Sequence, residues 1–293
     1  MMRHAAALKV TIATIALVCA GGLPMARAQD ASAWDGELHA AARLIAGAAV
    51  QSADARVLRA GIEIRLDPGW KTYWRYPGDS GVPPTLDFAG SENVKSVTAL
   101  WPAPKRFADG AGGHSIGYLG DVVLPLRIVA NDATKPSALH VKLGYAICGT
   151  LCVPAEADLD LVLSGKAGAE EPALVAAEAR VPRRVPLGAG IGPGGGLAVR
   201  SVHCEPAGAH QRVVVEVAAP ESAPVDLLVE GPTPDWALPL PEPSGPAHGS
   251  APGIRQFTFD LEGLPHGAKA DGAIFTFTVI SPGDAVEVKA HLD

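Results

Sequence analysis

Cys148 and Cys152 stand four residues apart, and Cys204 stands alone further along the chain. A close pair of thiols supports two-electron chemistry, in which a partner thiolate attacks one sulfur of a disulfide and the neighbouring thiol resolves the mixed species. The segment Leu139 to Leu163 reads LHVKLGYAICGTLCVPAEADLDLVL, two alternating runs around Gly149-Thr150-Leu151. That pattern predicts a hairpin whose tip brings the two Cα atoms into disulfide range, with Gly149 relieving the backbone. Closing so short a loop removes little chain entropy, which favours an exchangeable bond over a stabilising one. Two other readings stay open. One is a structural hairpin staple in a protein-binding adaptor. The other is Cu(I) capture by the reduced pair, with His114 or Glu156 nearby. Zinc is disfavoured, because no second CxxC or HxxxH partner completes four ligands.

Other motifs fail on context. Gly190, Gly192 and Gly195 fit G-x-G-x-x-G, but a proline-containing coil precedes them and a strand pattern follows. A dinucleotide fingerprint needs the strand first and the helix after, so this stretch is expected to be linker. Gly78-Asp79-Ser80-Gly81 has the look of a protease nucleophile loop, yet a Ser there needs an upstream base and orienting carboxylate. The sole upstream His of the mature chain is His39, on a predicted strand, and a turn explains the segment better. Cys204 follows His203 in another predicted strand, where neighbours face opposite sides, so a buried inert thiol is expected. His203, His210, His248, His266 and His291 are too scattered to define a site, and Trp236 is expected to cap a core.

The elements that must position the pair are strands. Residues 1–28 carry Arg3, His4 and Lys9, then the apolar run Thr11–Ala20, then Ala26-Arg27-Ala28 before Gln29. This reads as a signal peptide, too short to span a bilayer, which leaves a mature chain of 265 residues. All three Met residues and Cys19 leave with it, and the missing thioethers count against a copper carrier. Losing Arg3, Lys9 and Arg27 also leaves 21 basic against 31 acidic residues, a charge of -10. That sign argues against nucleic acid and anionic lipid as partners, and no later stretch is long enough for membrane insertion.

Alternation predicts strands at His39–Ala46, Val57–Leu66, Val94–Trp101, Asp121–Val129, Ala138–Ile147 and Glu156–Leu163. Gly81–Pro84 and Trp101–Pro104 read as crossings between strands. Glu170–Arg180 is the one good helix candidate, stopped by Pro182 and Pro186, and Leu187–Gly196 reads as a flexible linker. Further strands are expected at Leu197–Cys204, Arg212–Ala218, Val225–Glu230, Ile254–Leu261, Ala273–Ile280 and Ala285–His291. The expected fold is therefore all-β: two immunoglobulin-like β-sandwich domains, 29–166 and 197–293, joined over 167–196 by a short helix and a Gly/Pro-rich linker.

With these residues in view, the first domain resembles the N-terminal periplasmic (alpha) domain of DsbD- and ScsB-type thiol–disulfide interchange proteins. The matching residues are Pro68-Gly69-Trp70-Lys71-Thr72-Tyr73-Trp74-Arg75, Trp101-Pro102, Gly117-Tyr118, Val123-Leu124-Pro125-Leu126 and, most specific, Tyr145-Ala146-Ile147-Cys148-x-x-x-Cys152-Val153-Pro154. The resemblance covers nearly all of 38–165. It implies an immunoglobulin-like fold, a redox-active cysteine pair with no organic cofactor and no metal, and protein-disulfide reductase-type exchange in the periplasm. The implied partners are thioredoxin-fold or DsbD/ScsB-like redox proteins of the envelope. Cys152 matches the cysteine that forms mixed disulfides and Cys148 the one that closes the intramolecular bond. Phe107–Tyr118 aligns with the loop that caps the disulfide, so Tyr118, Tyr145 and His114 are expected to cap or flank the pair. Gly110-Ala111-Gly112-Gly113 stands where DsbD has aromatic shielding residues, which predicts a looser cap. Tyr73 and Trp74 either pack near the pair in its place or serve as core aromatics. The family's proteins continue into a membrane domain and this chain ends at Asp293, so a stand-alone soluble shuttle is expected.

Overall fold

The computed structural model describes residues 30–36, 38–52, 55–109, 112–189, 196–208, 210–245 and 253–292. The expected signal peptide and the Gly190, Gly192, Gly195 motif lie outside them. In chain order the first ten strands are β1 (Ala40–Ser52), β2 (Ala55–Leu66), β3 (Lys71–Gly78), β4 (Thr85–Asp87), β5 (Val94–Ala99), β6 (Lys105–Ala108), β7 (His114–Leu119), β8 (Val122–Ala130), β9 (Ser137–Cys148) and β10 (Cys152–Leu163). They form two facing sheets, ordered β1-β2-β8-β5 and β10-β9-β3-β7-β6, with β4 added on β9. Alternation fills the space between the sheets. Leu44, Ile62, Ile64, Leu124, Leu126 and Ile128 come from one sheet, and Trp74, Ile116, Val141, Leu143 and Leu159 from the other.

The helix α1 (Glu171–Glu178) follows, then β11 (Arg183–Arg184), β12 (Ala198–Ala207), β13 (His210–Ala218), β14 (Asp226–Glu230), β15 (Glu242–Gly245), β16 (Ile254–Asp260), β17 (Ile274–Ser281) and β18 (Asp284–His291). These strands make a second pair of sheets, β11-β18-β17-β14 and β12-β13-β16-β15, around Val213, Val215, Phe257, Phe275, Phe277 and Val288. No helix among the described residues is long and apolar enough to cross a membrane.

Helix α1 does more than connect. Gly47 and Gly61 leave the outer face of the first sheet open, and Leu174 occupies the gap: a Cβ at Gly47 would lie 2.4 Å from its Cδ2. Around it Arg43 pairs with Glu170 at 2.7 Å, and Arg59 with Glu171 at 2.5 Å and Glu178 at 2.6 Å; Arg127 also binds Glu178. Burial disfavours the Glu178 carboxylate, but hydrogen bonds from Arg59 and Arg127 win and hold it below the usual carboxylate range.

Several expectations need correction. Strands β3 and β7 were not foreseen, because neither alternates: Thr72, Tyr73 and Trp74 are buried in succession, as are Ser115, Ile116, Gly117 and Tyr118. Both are covered on two faces, which erases the period-two signal. The short strands β4, β6, β11 and β15 were missed as well. Of these, β11 falls inside the segment expected to be helix and linker, yet it pairs in parallel with β18, Arg183 opposite Val286. His39 is not on a strand but in the turn before β1, and β10 begins at Cys152 rather than Glu156. Cys204 is half-buried against the second core rather than fully buried.

The sandwiches meet along β3 and β6. Arg75 grips Glu230 through two hydrogen bonds of 2.8 and 2.7 Å and reaches Glu287 at 2.7 Å. The Tyr76 hydroxyl donates to the Trp236 carbonyl at 2.8 Å and accepts from the Leu238 amide at 2.7 Å. Arg106 adds Asp226 and Glu242, both at 2.8 Å. Leu228 and Leu240 of the second sandwich join the apolar cluster of the first.

Candidate functional site: a cysteine pair at a hairpin tip

Strands β9 and β10 pair from Ser137 opposite Leu163 to Cys148 opposite Cys152. A two-residue period therefore ends with both cysteines on the face away from the core, because Tyr145 and Ile147 point inward. Gly149-Thr150-Leu151 closes the tip, the Gly149 amide donating to the Leu151 carbonyl at 3.1 Å. The sulfurs are joined, with the Cα atoms 4.0 Å apart. Cys152 is exposed and Cys148 half-buried, and Leu151 beside them is 67% exposed.

Ladder register brings distant residues to this tip. Leu119, Lys71, Cys148 and Cys152 are successive Cα partners across β7, β3, β9 and β10. One pleat further along β3, the Tyr73 hydroxyl lies 3.3 Å from the Cys152 Sγ. A disulfide sulfur carries no proton, so Tyr73 is the donor. Burial raises the pKa of this phenol and keeps it protonated at neutral pH. The Lys71 ammonium donates to the Ser115 hydroxyl at 2.9 Å and stands 5.5 Å from the Phe107 ring.

The expected flanking residues are distributed differently. Tyr118 faces the core, where its hydroxyl donates to the Pro102 carbonyl at 2.8 Å and burial drives its pKa far up. Tyr145 also faces the core, its hydroxyl without a hydrogen-bond partner among the described residues and its pKa pushed up by burial to about 12. Neither ring lies on the sulfur-bearing face. His114 opens β7, its amide donating to the Asp79 carboxylate at 2.9 Å and its carbonyl accepting from the Asp79 amide at 2.9 Å. The same two bonds make the Gly78–Gly81 segment a strand-end turn. Within the cap segment, Gly110 and Ala111 lie outside the described residues; the Asp109 amide donates to the Gly113 carbonyl and the Gly113 amide to the Asp109 carboxylate, both at 3.0 Å.

Of the two β3 aromatics expected either near the pair or in the core, Tyr73 is at the pair and Trp74 is wholly buried in the core. For the metal alternative, Glu156 lies four residues down β10 from Cys152, roughly 13 Å by strand rise, too far for shared coordination. A residue to which sequence reasoning gave no role at the site is Trp70, whose indole packs on Gly149. Its place beside Lys71 and Tyr73 in the matching Pro68–Arg75 block was the available signal.

The geometry defines a β-sandwich that carries a solvent-facing disulfide on a hairpin tip. Residues 41–164, spanning nearly all of β1 through β10, match the family described as the N-terminal domain of the thiol:disulfide interchange protein DsbD. The match thus takes in the first sandwich and less than half of the chain. The crystal structure of the N-terminal periplasmic domain of ScsB from Proteus mirabilis has a similar fold, with a TM-score of 0.67 and 22% sequence identity. That similarity covers 90% of this chain and 98% of the other, so it extends over both sandwiches. No curated protein matches the chain.

Proposed function

We propose that the protein is an exported thiol–disulfide interchange protein of the periplasm that passes electron pairs through Cys148 and Cys152. The observation that carries this reading is the exposed Cys152 sulfur, bonded to a half-buried Cys148 at a hairpin tip of a sandwich that matches the DsbD N-terminal family. A partner thiolate attacks the Cys152 Sγ, a new S–S bond forms to the partner, and Cys148 leaves as thiolate and takes a proton. A second partner thiol then attacks the partner's own sulfur and releases Cys152, so the partner is oxidised and this pair reduced. The reverse sequence reduces an oxidised client. Tyr73 is placed to stabilise negative charge on Cys152 as it leaves. Thioredoxin-fold or DsbD/ScsB-like proteins of the envelope are the partners this chemistry suits.

The test is the reduction potential of the purified protein, read by alkylation after equilibration in thiol buffers. A value above roughly -250 mV supports exchange, whereas one below roughly -300 mV with loss of folding on reduction makes the bond a staple. In cells, Cys152→Ser should abolish, and Cys148→Ser should accumulate, mixed disulfides with envelope proteins. No trapped species with either variant would reject the shuttle.

A further inference from the structure

Outside the cysteine pair, a chain of contacts runs from a carboxylate to the backbone between the two sulfurs. The Asp67 carboxylate meets the His39 Nδ1 at 2.9 Å, and the Asp67 amide donates to the His39 carbonyl at 2.9 Å. The His39 ring stacks on the Trp70 indole, centroids 4.1 Å apart and planes inclined by 17°. Trp70 is itself fixed by its backbone, its amide donating to the Asp67 carbonyl and its carbonyl accepting from Gly120, both at 3.0 Å. The far end of the indole abuts the redox tip: a Cβ at Gly149 would lie 2.9 Å from Cε2, 3.1 Å from Cδ2 and 3.2 Å from Cζ2. At 2.9 Å something must shift, so a side chain at position 149 would displace the indole or the tip. Leu151 and Thr150 on the same tip are exposed, whereas Gly149 rests on the Trp70 ring.

We infer that Trp70 is a positioning residue for disulfide exchange: clamped by His39 and Asp67, its indole holds Gly149 and so keeps Cys148 poised to close on Cys152. The role rests on the exchange reading above. In a mixed disulfide, the Cys148 thiolate must attack the Cys152 sulfur, re-forming the internal bond and expelling the partner's thiolate. The rate and equilibrium of that step follow the effective concentration of Cys148 at Cys152, which rises when the tip samples fewer conformations. The indole contact is seen in the disulfide-bonded tip, so it favours the geometry that closure must reach.

The test is a double-mutant cycle on the full chain, read as the equilibrium constant for disulfide formation in the thiol buffer, glutathione or dithiothreitol, that leaves the wild type half oxidised. Trp70→Ala should lower that constant about ten-fold, and Gly149→Ala, which drives a methyl group into the indole, by a similar factor. In the Trp70→Ala background, Gly149→Ala should cost little more, because the ring it strikes is gone. Trp70→Phe should restore most of the wild-type value, and His39→Ala should lower it by a smaller factor. Far-UV circular dichroism and the unfolding midpoint of the reduced forms report whether each variant folds. Equal effects of Gly149→Ala in both backgrounds, or a Trp70→Ala constant within two-fold of wild type, would overturn the inference. Glutathione poises a readily reduced bond and dithiothreitol a strong one, so between them the cycle is read in either case. Failure of the wild type to exchange with glutathione would instead count against the proposed function.

Discussion

Arg75→Met should loosen the two sandwiches from each other. The guanidinium makes a bidentate pair with Glu230, bonds to Glu287 at 2.7 Å and lies 4.4 Å over the Trp74 ring. Exposure of the three charged side chains is 25% for Arg75, 16% for Glu230 and 7% for Glu287. Burial works against the Arg75 charge, but hydrogen bonding and attraction from Glu230, with Glu287 behind it, prevail and hold its pKa above the ordinary arginine value. Removing one partner of a fully buried pair costs about 3–5 kcal/mol, chiefly through the carboxylate left behind. Here water reaches Arg75, and Arg184 still contacts Glu287 at 3.0 Å. The expected loss is therefore about 2–3 kcal/mol, most of it from Glu230. For a chain of this length that lowers the unfolding midpoint by roughly 5–10 °C. Urea unfolding followed by tryptophan fluorescence measures it, and a transition that splits in two would locate the loss at the interface. Arg75→Met combined with Glu230→Gln should recover part of the stability, since the abandoned charge is gone. A loss under about 0.5 kcal/mol, or strict additivity in this cycle, would refute the reasoning.

Three further outcomes are expected. Tyr73→Phe removes the hydroxyl 3.3 Å from the Cys152 Sγ, and in the reduced protein it should slow iodoacetamide alkylation of Cys152 at pH 7 about three- to ten-fold. An unchanged alkylation–pH profile would show that the hydroxyl does not act on the thiolate. Glu178, held below the usual carboxylate pKa, stabilises the fold above the unfolded value near 4.3, and that contribution is lost as pH falls through the lower folded value. Amide exchange of α1 should accordingly quicken as pH drops below about 4, once corrected for intrinsic rates, and Glu178→Gln should flatten the dependence. Finally, Gly47→Ala should cost about 1–3 kcal/mol in thermal unfolding, because its methyl would meet Leu174, and Leu174→Ala in the same chain should remove most of that penalty.

Much of the fold was legible wherever one face of a strand meets solvent. Strands β9 and β10 alternate over most of their length, and β2 does so from Ile62 to Leu66, where Glu63 and Arg65 face outward while Ile62, Ile64 and Leu66 are buried. The helix was readable from its composition and the prolines beyond it, although its docking on Gly47 and Gly61 was not. The hairpin at Cys148 and Cys152 is a local object, closed over a sequence separation of four, so sequence spacing was enough to expect the bond.

What surrounds that bond is not local. Tyr73 stands 79 positions from Cys152, and it arrives through the pairing of β3 with β9, a register that no short-range pattern encodes. The resemblance to the DsbD N-terminal domain placed Tyr118 and Tyr145 beside the pair, but it did not fix the face on which they lie. The tertiary structure decided that they face the core while Lys71 and Tyr73 share the sulfur face. By itself, then, the sequence determined the strands with one wet side, the cysteine hairpin and the acidic character of the chain. The packing of a second sandwich on β3 and β6 decided the rest. A strand buried on both sides loses its alternation, and a contact between ladders exists only once the sheets have chosen their order.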